Sequence, residues 1–231
     1  MTTAHTLSTP SNPLKGVAQS LITVLTLPLL VILSVRLVMS PFFLQVEYTR
    51  PDFPADPYGF TTEERLRYGN QSVAYLLNGE DINFLGDLTF ADGVSLFNER
   101  ELRHMHDVKA LTGLAFMIAT GLGGIYFLAL FYLYRDHKYT LRYALQNGGI
   151  VTIAGLVLII VLALTSWEFF FVTFHELFFA DGTWYFPYSD TLIRLFPEQF
   201  WFDAAITIGG LTVICAALMV FISRLINRQR S

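Results

Sequence analysis

The sequence predicts an all-α membrane protein: four transmembrane helices, with long loops on one side that hold short interfacial helices and a small β element. Three observations predict it. Hydrophobic residues make up 53% of the 231 positions and charged residues only 15%, with a mean hydropathy of +0.48. An ordinary soluble domain carries roughly 25% charged residues. The apolar residues are gathered into four runs of bilayer length, and a helix needs about 20 such residues to cross. The charges are sorted by side: segments 39–109 and 175–203 hold 17 of the 19 acids.

The runs are Val17 to Val38, Ala110 to Tyr134, Gly149 to Phe174 and Ala204 to Ile222. Lipid offers no partner to a backbone amide, so each run reads as a helix. The first is too long for a signal-peptide core, and Val38-Met39-Ser40 before Pro41 is a poor cleavage site, so it reads as a retained span. Residues 1–16 form a tail, and 17–231 form one membrane domain with outer loops 39–109 and 175–203. Lys15, the 135–147 loop (Arg135, Lys138 and Arg142 against Asp136) and the C-terminal Arg224, Arg228 and Arg230 are basic. The positive-inside rule therefore puts both termini and that loop in the cytoplasm of a multi-pass cell-membrane protein.

In the first outer loop, Pro51, Pro54 and Pro57 forbid regular structure. Thr61 with Glu64 is a capping-box pattern that starts a helix to about Leu77, its apolar stripe being Leu66, Val73, Ala74 and Leu77. Turns at Gly86, Asp87, Asp92 and Gly93 bracket two short strands. Asn98 with Glu101 repeats the cap, so a helix starts near Glu99 and runs through three polar turns into the second span. The second outer loop is dense in aromatics, and Asp190 to Phe202 reads as a short helix lying at the interface.

A net charge of −4 without a dense Lys/Arg block argues against a nucleic-acid partner. Cys215, the single cysteine, excludes an internal disulfide and a Cys-based zinc cluster and reads as inert packing. His5 and His137 read as solvated side chains. His104, His106 and His175 share one membrane surface. Two residues apart on a helix is about 200° of rotation, so His104 and His106 cannot serve one site. His104 and Asp107 share a face, where a carboxylate can orient an imidazole. Glu168 lies two turns below His175; an ionisable group inside a span is expensive and points to function or to snorkelling. For Arg194, the lone base of the second outer loop, the simplest partner is Asp190 four residues earlier.

Two blocks carry a family resemblance: FNERELRHMHDVKAL before the second span and FHELFFADGTWYFPYSDTLIRLFP after the third. In these blocks, and in span count and loop sizes over nearly the whole chain, the sequence resembles the bacterial membrane family of the lipoprotein intramolecular transacylases. The resemblance implies that His104 and His175 face each other at an active site. It implies an enzyme without a cofactor or metal that moves the sn-2 acyl chain of a diacylglyceryl-cysteine lipoprotein onto that lipoprotein's own α-amine. Its partners are then lipoproteins and lipid of the outer leaflet. On this reading His104, oriented by Asp107, is the base and His175 the donor to the oxyanion; the reverse assignment and an acyl-imidazole intermediate stand equally open. Arg194, Asp190 and Trp184 are the expected substrate contacts. Two other classes compete: a non-catalytic assembly or lipid-binding accessory protein, and a metal-dependent hydrolase using His104, Asp107 and His175 as ligands.

Overall fold

The protein was analysed as a computed structural model that describes residues 12–226. His5, Arg228 and Arg230 lie outside the described residues. Nine helices follow one another among them: α1 Pro13–Val38, α2 Pro41–Tyr48, α3 Thr62–Leu77, α4 Asn83–Gly86, α5 Glu99–Asp136, α6 Lys138–Thr165, α7 Trp167–Phe178, α8 Thr191–Leu195 and α9 Glu198–Leu225. Four of them, α1, α5, α6 and α9, are long and apolar enough to cross a membrane. Their apolar stretches are little covered by protein; in α5 only 6% of that stretch is buried. Side chains such as Met117, Phe127 and Leu128 stand more than half exposed, a surface that only lipid can cover.

Small and hydroxylic residues set the packing of the spans, as expected where lipid removes any hydrophobic drive between helices. A Cβ on Gly148 would stand 2.6 Å from the Thr26 hydroxyl oxygen of α1, and one on Gly149 would stand 2.7 Å from the Ala216 carbonyl oxygen of α9. These two glycines let α6 wedge between α1 and α9. Thr212 of α9 donates to Ser34 of α1 at 3.0 Å, both buried.

Several boundaries differ from the sequence expectation. α1 starts at Pro13, capped by the Asn12 side chain, so residues 13–16 are helix rather than tail. The expected 135–147 loop is almost all helix: α5 runs to Asp136, α6 starts at Lys138, and His137 alone joins them. Hydropathy marks where lipid ends, and a helix continues past that point because its hydrogen bonds are internal. The third run is two helices. α6 stops at Thr165, Ser166 is extended, and its hydroxyl accepts from the Phe169 N–H to cap α7. Glu168 is therefore not inside a span. It sits exposed in the first turn of α7, where a helix N-terminus favours a carboxylate. The expected helix 190–202 is also two: Phe196 precedes Pro197 and is forced out of the helical region (φ −121°, ψ 70°), so α8 ends and α9 begins.

The long loops pack as one layer on the end of the bundle where α1 and α6 finish and α5 and α9 begin. Both expected capping boxes form, Thr61 with Glu64 and Asn98 with Glu101. The buried face of α3 is Arg65, Tyr68, Gly69, Ser72 and Tyr75 rather than the Leu66–Leu77 stripe. Tyrosine rings bring large apolar area, and Tyr75 is 1% exposed while Leu77 is 36%. Instead of two strands there is one antiparallel bridge, Thr89 to Ser95, turned by Gly93 at φ +85°. A core of Tyr48, Tyr75, Leu85, Leu96, Leu195 and Phe200 ties the layer together.

Candidate active site

Glu101 does more than close its capping box. It is 1% exposed and both carboxylate oxygens are used: Oε2 accepts from the Asn98 N–H at 2.8 Å, and Oε1 from the Leu192 N–H at 2.7 Å. One side chain thus bolts the start of α5 to α8, ninety-one residues away in sequence. Two contacts reinforce the bolt: Thr191 donates to the Leu96 carbonyl, and Arg100 pairs with Asp190 at 2.7 Å. The bolt fixes the loop that carries Trp184 and Phe186. The capping pattern makes Glu101 legible in sequence; its partner on α8 leaves no local signal.

Under that loop the two histidines meet. The rings of His104 and His175 lie 6.5 Å apart, centre to centre, at an interplanar angle of 24°. A single reacting carbon can lie within catalytic reach of both, since such contacts are about 3 Å. Aromatics wall the pair: Phe179 and Phe186 stand 5.0 and 5.3 Å from His104, and Phe171 and Trp184 stand 4.1 and 4.8 Å from His175. α7, which carries His175, buries none of its own residues.

The hydrogen bonding of the two rings differs. His175 Nδ1 lies 2.8 Å from the Phe171 carbonyl oxygen. A carbonyl only accepts, so Nδ1 carries the hydrogen and Nε2 keeps its lone pair. Burial holds the His175 imidazole below its ordinary range, so it is neutral at pH 7. His104 Nδ1 is buried with no partner. The nearest imidazole nitrogen to Asp107 belongs to His106, whose Nδ1 stands 3.5 Å from Oδ1; no hydrogen bond joins Asp107 to His104. The shared helical face predicted that contact, but side-chain rotamers decide it. The same turning-away separates His104, Asp107 and His175 as ligands: no group of three or more His, Cys, Asp or Glu converges on a metal position among the described residues.

The three expected substrate contacts fall in different places. Trp184 is 8% exposed, packs on His175, and its indole N–H has no acceptor. Asp190 is one contact removed from the pair, through Arg100, whose guanidinium lies 5.5 Å from the Phe186 ring centre. Arg194 does not pair with Asp190. Its Nη2 reaches Asp56 at 2.9 Å, on the far side of α8, in an ion pair with side chains 11% and 0% exposed.

Comparisons with known proteins agree with this fold. A family model described as "Lipoprotein intramolecular transacylase Lit" matches residues 20–201. An uncharacterized protein of Aquifex aeolicus (strain VF5) is 30% identical over 203 residues, which cover 87% of this chain and 91% of that protein. The structure of the membrane integral lipoprotein intramolecular transacylase Lit from Bacillus cereus superposes with a TM-score of 0.81 at 21% identity, over 95% of this chain and 99% of that one. The same protein with one histidine changed to arginine gives a TM-score of 0.72 at 20% identity, over 94% of both chains. This four-span chain belongs to the Lit family of lipoprotein intramolecular transacylases.

Proposed function

We propose that this chain transfers the sn-2 acyl chain of a diacylglyceryl-cysteine lipoprotein to the α-amine of the same molecule, leaving an N-acyl, lyso-glyceryl product. The observation that carries the reading is the pair of imidazoles 6.5 Å apart in an aromatic shell, at the membrane end of apolar spans. A substrate with two acyl chains in one leaflet presents its ester and amine at that depth.

In this mechanism the amine nitrogen attacks the ester carbonyl carbon and its proton passes to His175 Nε2. The tetrahedral oxyanion accepts a hydrogen bond from His104, which donates from a neutral N–H. The bond from carbon to the glyceryl oxygen then breaks, and that oxygen takes the proton back from the His175 imidazolium. The order reverses the simpler sequence assignment because the hydrogen bond that marks a base with a defined lone pair belongs to His175, whereas the Asp107 support for His104 has no hydrogen bond behind it. An α-amine has a pKa of about 7.7–8.0, so the base has a small task. Holding amine and ester in one molecule supplies much of the rate as effective molarity. Trp184 lines the acyl side of His175, and Asp190 supports the wall through Arg100. The site faces the extracytoplasmic side, where lipoproteins are anchored.

The test is mass spectrometry of the N-terminal peptide of a lipoprotein co-expressed with the chain. His104→Ala and His175→Ala each abolish the lyso-form while the protein still accumulates folded in the membrane. Full activity of either variant overturns the assignment.

A further inference from the structure

Away from the histidines, the loop layer holds a cavity of about 340 Å³ between the Pro54–Tyr58 turn, the first turns of α3, and α8. Its walls include Pro54, Asp56, Tyr58, Arg65, Tyr188 and Arg194. Three of these are charged, two positive and one negative. One oxygen of the carboxylate is committed: Asp56 Oδ2 accepts from Arg194 Nε at 3.1 Å, from Arg194 Nη2 at 2.9 Å and from the Phe60 N–H at 2.7 Å, while Oδ1 is buried without a partner. Burial alone would raise the Asp56 pKa, but Arg194 and the Phe60 N–H together hold it below the usual carboxylate range.

Arg65 has no such partner. It is 5% exposed, and its polar contact is one donation from Nη1 to the Pro54 carbonyl oxygen at 2.6 Å. Its Nε is buried with no acceptor, and no carboxylate pairs with it among the described residues. Burial pulls the guanidinium below its ordinary range; the nearby Asp56 carboxylate opposes that pull, and Arg194 adds a smaller repulsion. A buried cation with no carboxylate in direct contact is expensive, and here it borders an open cavity whose three charged side chains sum to +1. The place of the cavity suggests what fills it. Pro197, on its wall, is the N-cap of the spanning helix α9. The charge-free apolar run of α9 starts only at Ala204, after Glu198 and Asp203, so the first turn of this 28-residue helix lies beyond the hydrocarbon, among lipid headgroups. Tyr58 and Tyr188 stand 51% and 78% exposed at the cavity, as amphipathic rings at that level do. The cavity is also roomier than one small ion needs.

We propose that the Arg65–Arg194–Asp56 cavity binds a phosphate group, with the phosphodiester of a membrane lipid headgroup as its source and Arg65 as the principal cation. Guanidinium forks suit phosphate oxygens. The inference stands apart from the acyl-transfer reading, since the acyl donor proposed there contains no phosphate.

The experiment is lipid binding by the full chain in detergent, followed by native mass spectrometry and by the thermal unfolding midpoint. The added probes are phosphatidylglycerol, diacylglycerol and inorganic phosphate. Phosphatidylglycerol should bind saturably and raise the midpoint, and Arg65→Met should weaken that binding at least tenfold. Ala55→Trp, at an exposed position on the cavity wall, should do the same with every charge kept, and it carries the test if Arg65→Met does not fold. Diacylglycerol should bind equally to all three proteins. Competition by millimolar inorganic phosphate would support the site and name the free ion as its occupant; binding without such competition assigns it to the lipid. Undetectable phosphatidylglycerol binding, or equal binding by the wild type and Ala55→Trp, would overturn the proposal.

Discussion

The hydrogen bond from His175 Nδ1 to the Phe171 carbonyl ties a rate to pH. The reaction as proposed needs two neutral nitrogens, the substrate α-amine with a pKa of about 7.7–8.0 and His175 Nε2. Burial depresses the imidazole, so His175 loses its base form only below pH 6.5. The rate of lyso-form production should therefore rise with pH, with a log-rate slope near one below the amine pKa, steepening towards two only in buffer more acidic than the ordinary imidazole range, and levelling off above about pH 8. Single-turnover assays in detergent across that range check it; a flat profile from pH 5 to 8 would remove both groups from the step. At this scale the sequence was legible where chemistry and depth coincide. His104 and His175 fall at the same height beside two spans, and His106 is excluded by rotation alone. It was illegible where a partner is chosen in three dimensions. Spacing by three put Asp107 on the face of His104, yet the carboxylate stands by His106. Spacing by four suggested Asp190 for Arg194, yet the partner is Asp56, 138 residues away.

Two elements hold the site in place, and each rests on one residue. The Glu101 bolt joins α5 to α8 by accepting the buried Leu192 N–H and the half-buried Asn98 N–H. Glu101→Ala leaves the buried Leu192 donor unsatisfied, at roughly 1–3 kcal/mol, and frees the half-buried Asn98 N–H to water. It should lower the unfolding midpoint in detergent and also cut activity, because the Trp184–Phe186 wall loses its anchor. Glu99→Ala, in the same first turn but with an exposed side chain, should cost a few tenths of a kcal/mol, which separates the bolt from the helix-end charge. On the bundle side, Gly149 meets the α9 backbone, where an added Cβ lies 2.7 Å from the Ala216 carbonyl oxygen. Gly149→Leu should force α6 and α9 apart, at about 1–3 kcal/mol or more, and lower the yield of folded protein; Gly121→Leu, where a Cβ meets nothing within 4 Å, should not. The sequence marked the caps of α3 and α5 because capping is local chemistry. It also held the signals for the two breaks that the long apolar runs concealed: Ser166 before an acid-bearing turn, and Pro197 after Phe196. A continuous hydrophobic stretch reports the solvent around a helix and not the continuity of its hydrogen bonds, so α6 and α7 read as one span until the Ser166 cap separates them.

At the scale of the whole chain, lipid is the missing surface. The spans leave most of their apolar stretches uncovered, α7 buries nothing of its own, and the loop layer caps one end only. On the proposed reading, a lipid-tailed substrate would approach the imidazole pair from the bilayer plane beside α7. The proposed side of the membrane for that layer rests on charge. It takes in the two segments with 17 of the 19 acids, while Arg135, Lys138 and Arg142 sit around the His137 corner at the opposite end. By the positive-inside rule we propose that the His137 corner is cytoplasmic and the histidine pair outside, the side on which a secreted lipoprotein offers its modified cysteine. Cysteine labelling tests this directly. In a Cys215→Ala background, Asp181→Cys reports the loop layer and Asp136→Cys the far corner; both positions are exposed. A membrane-impermeant thiol reagent added to intact spheroplasts should label Asp181→Cys and reach Asp136→Cys only after permeabilisation. The opposite pattern would place the active face in the cytoplasm, where no diacylglyceryl lipoprotein is displayed, and would leave the acyl-transfer reading without its substrate.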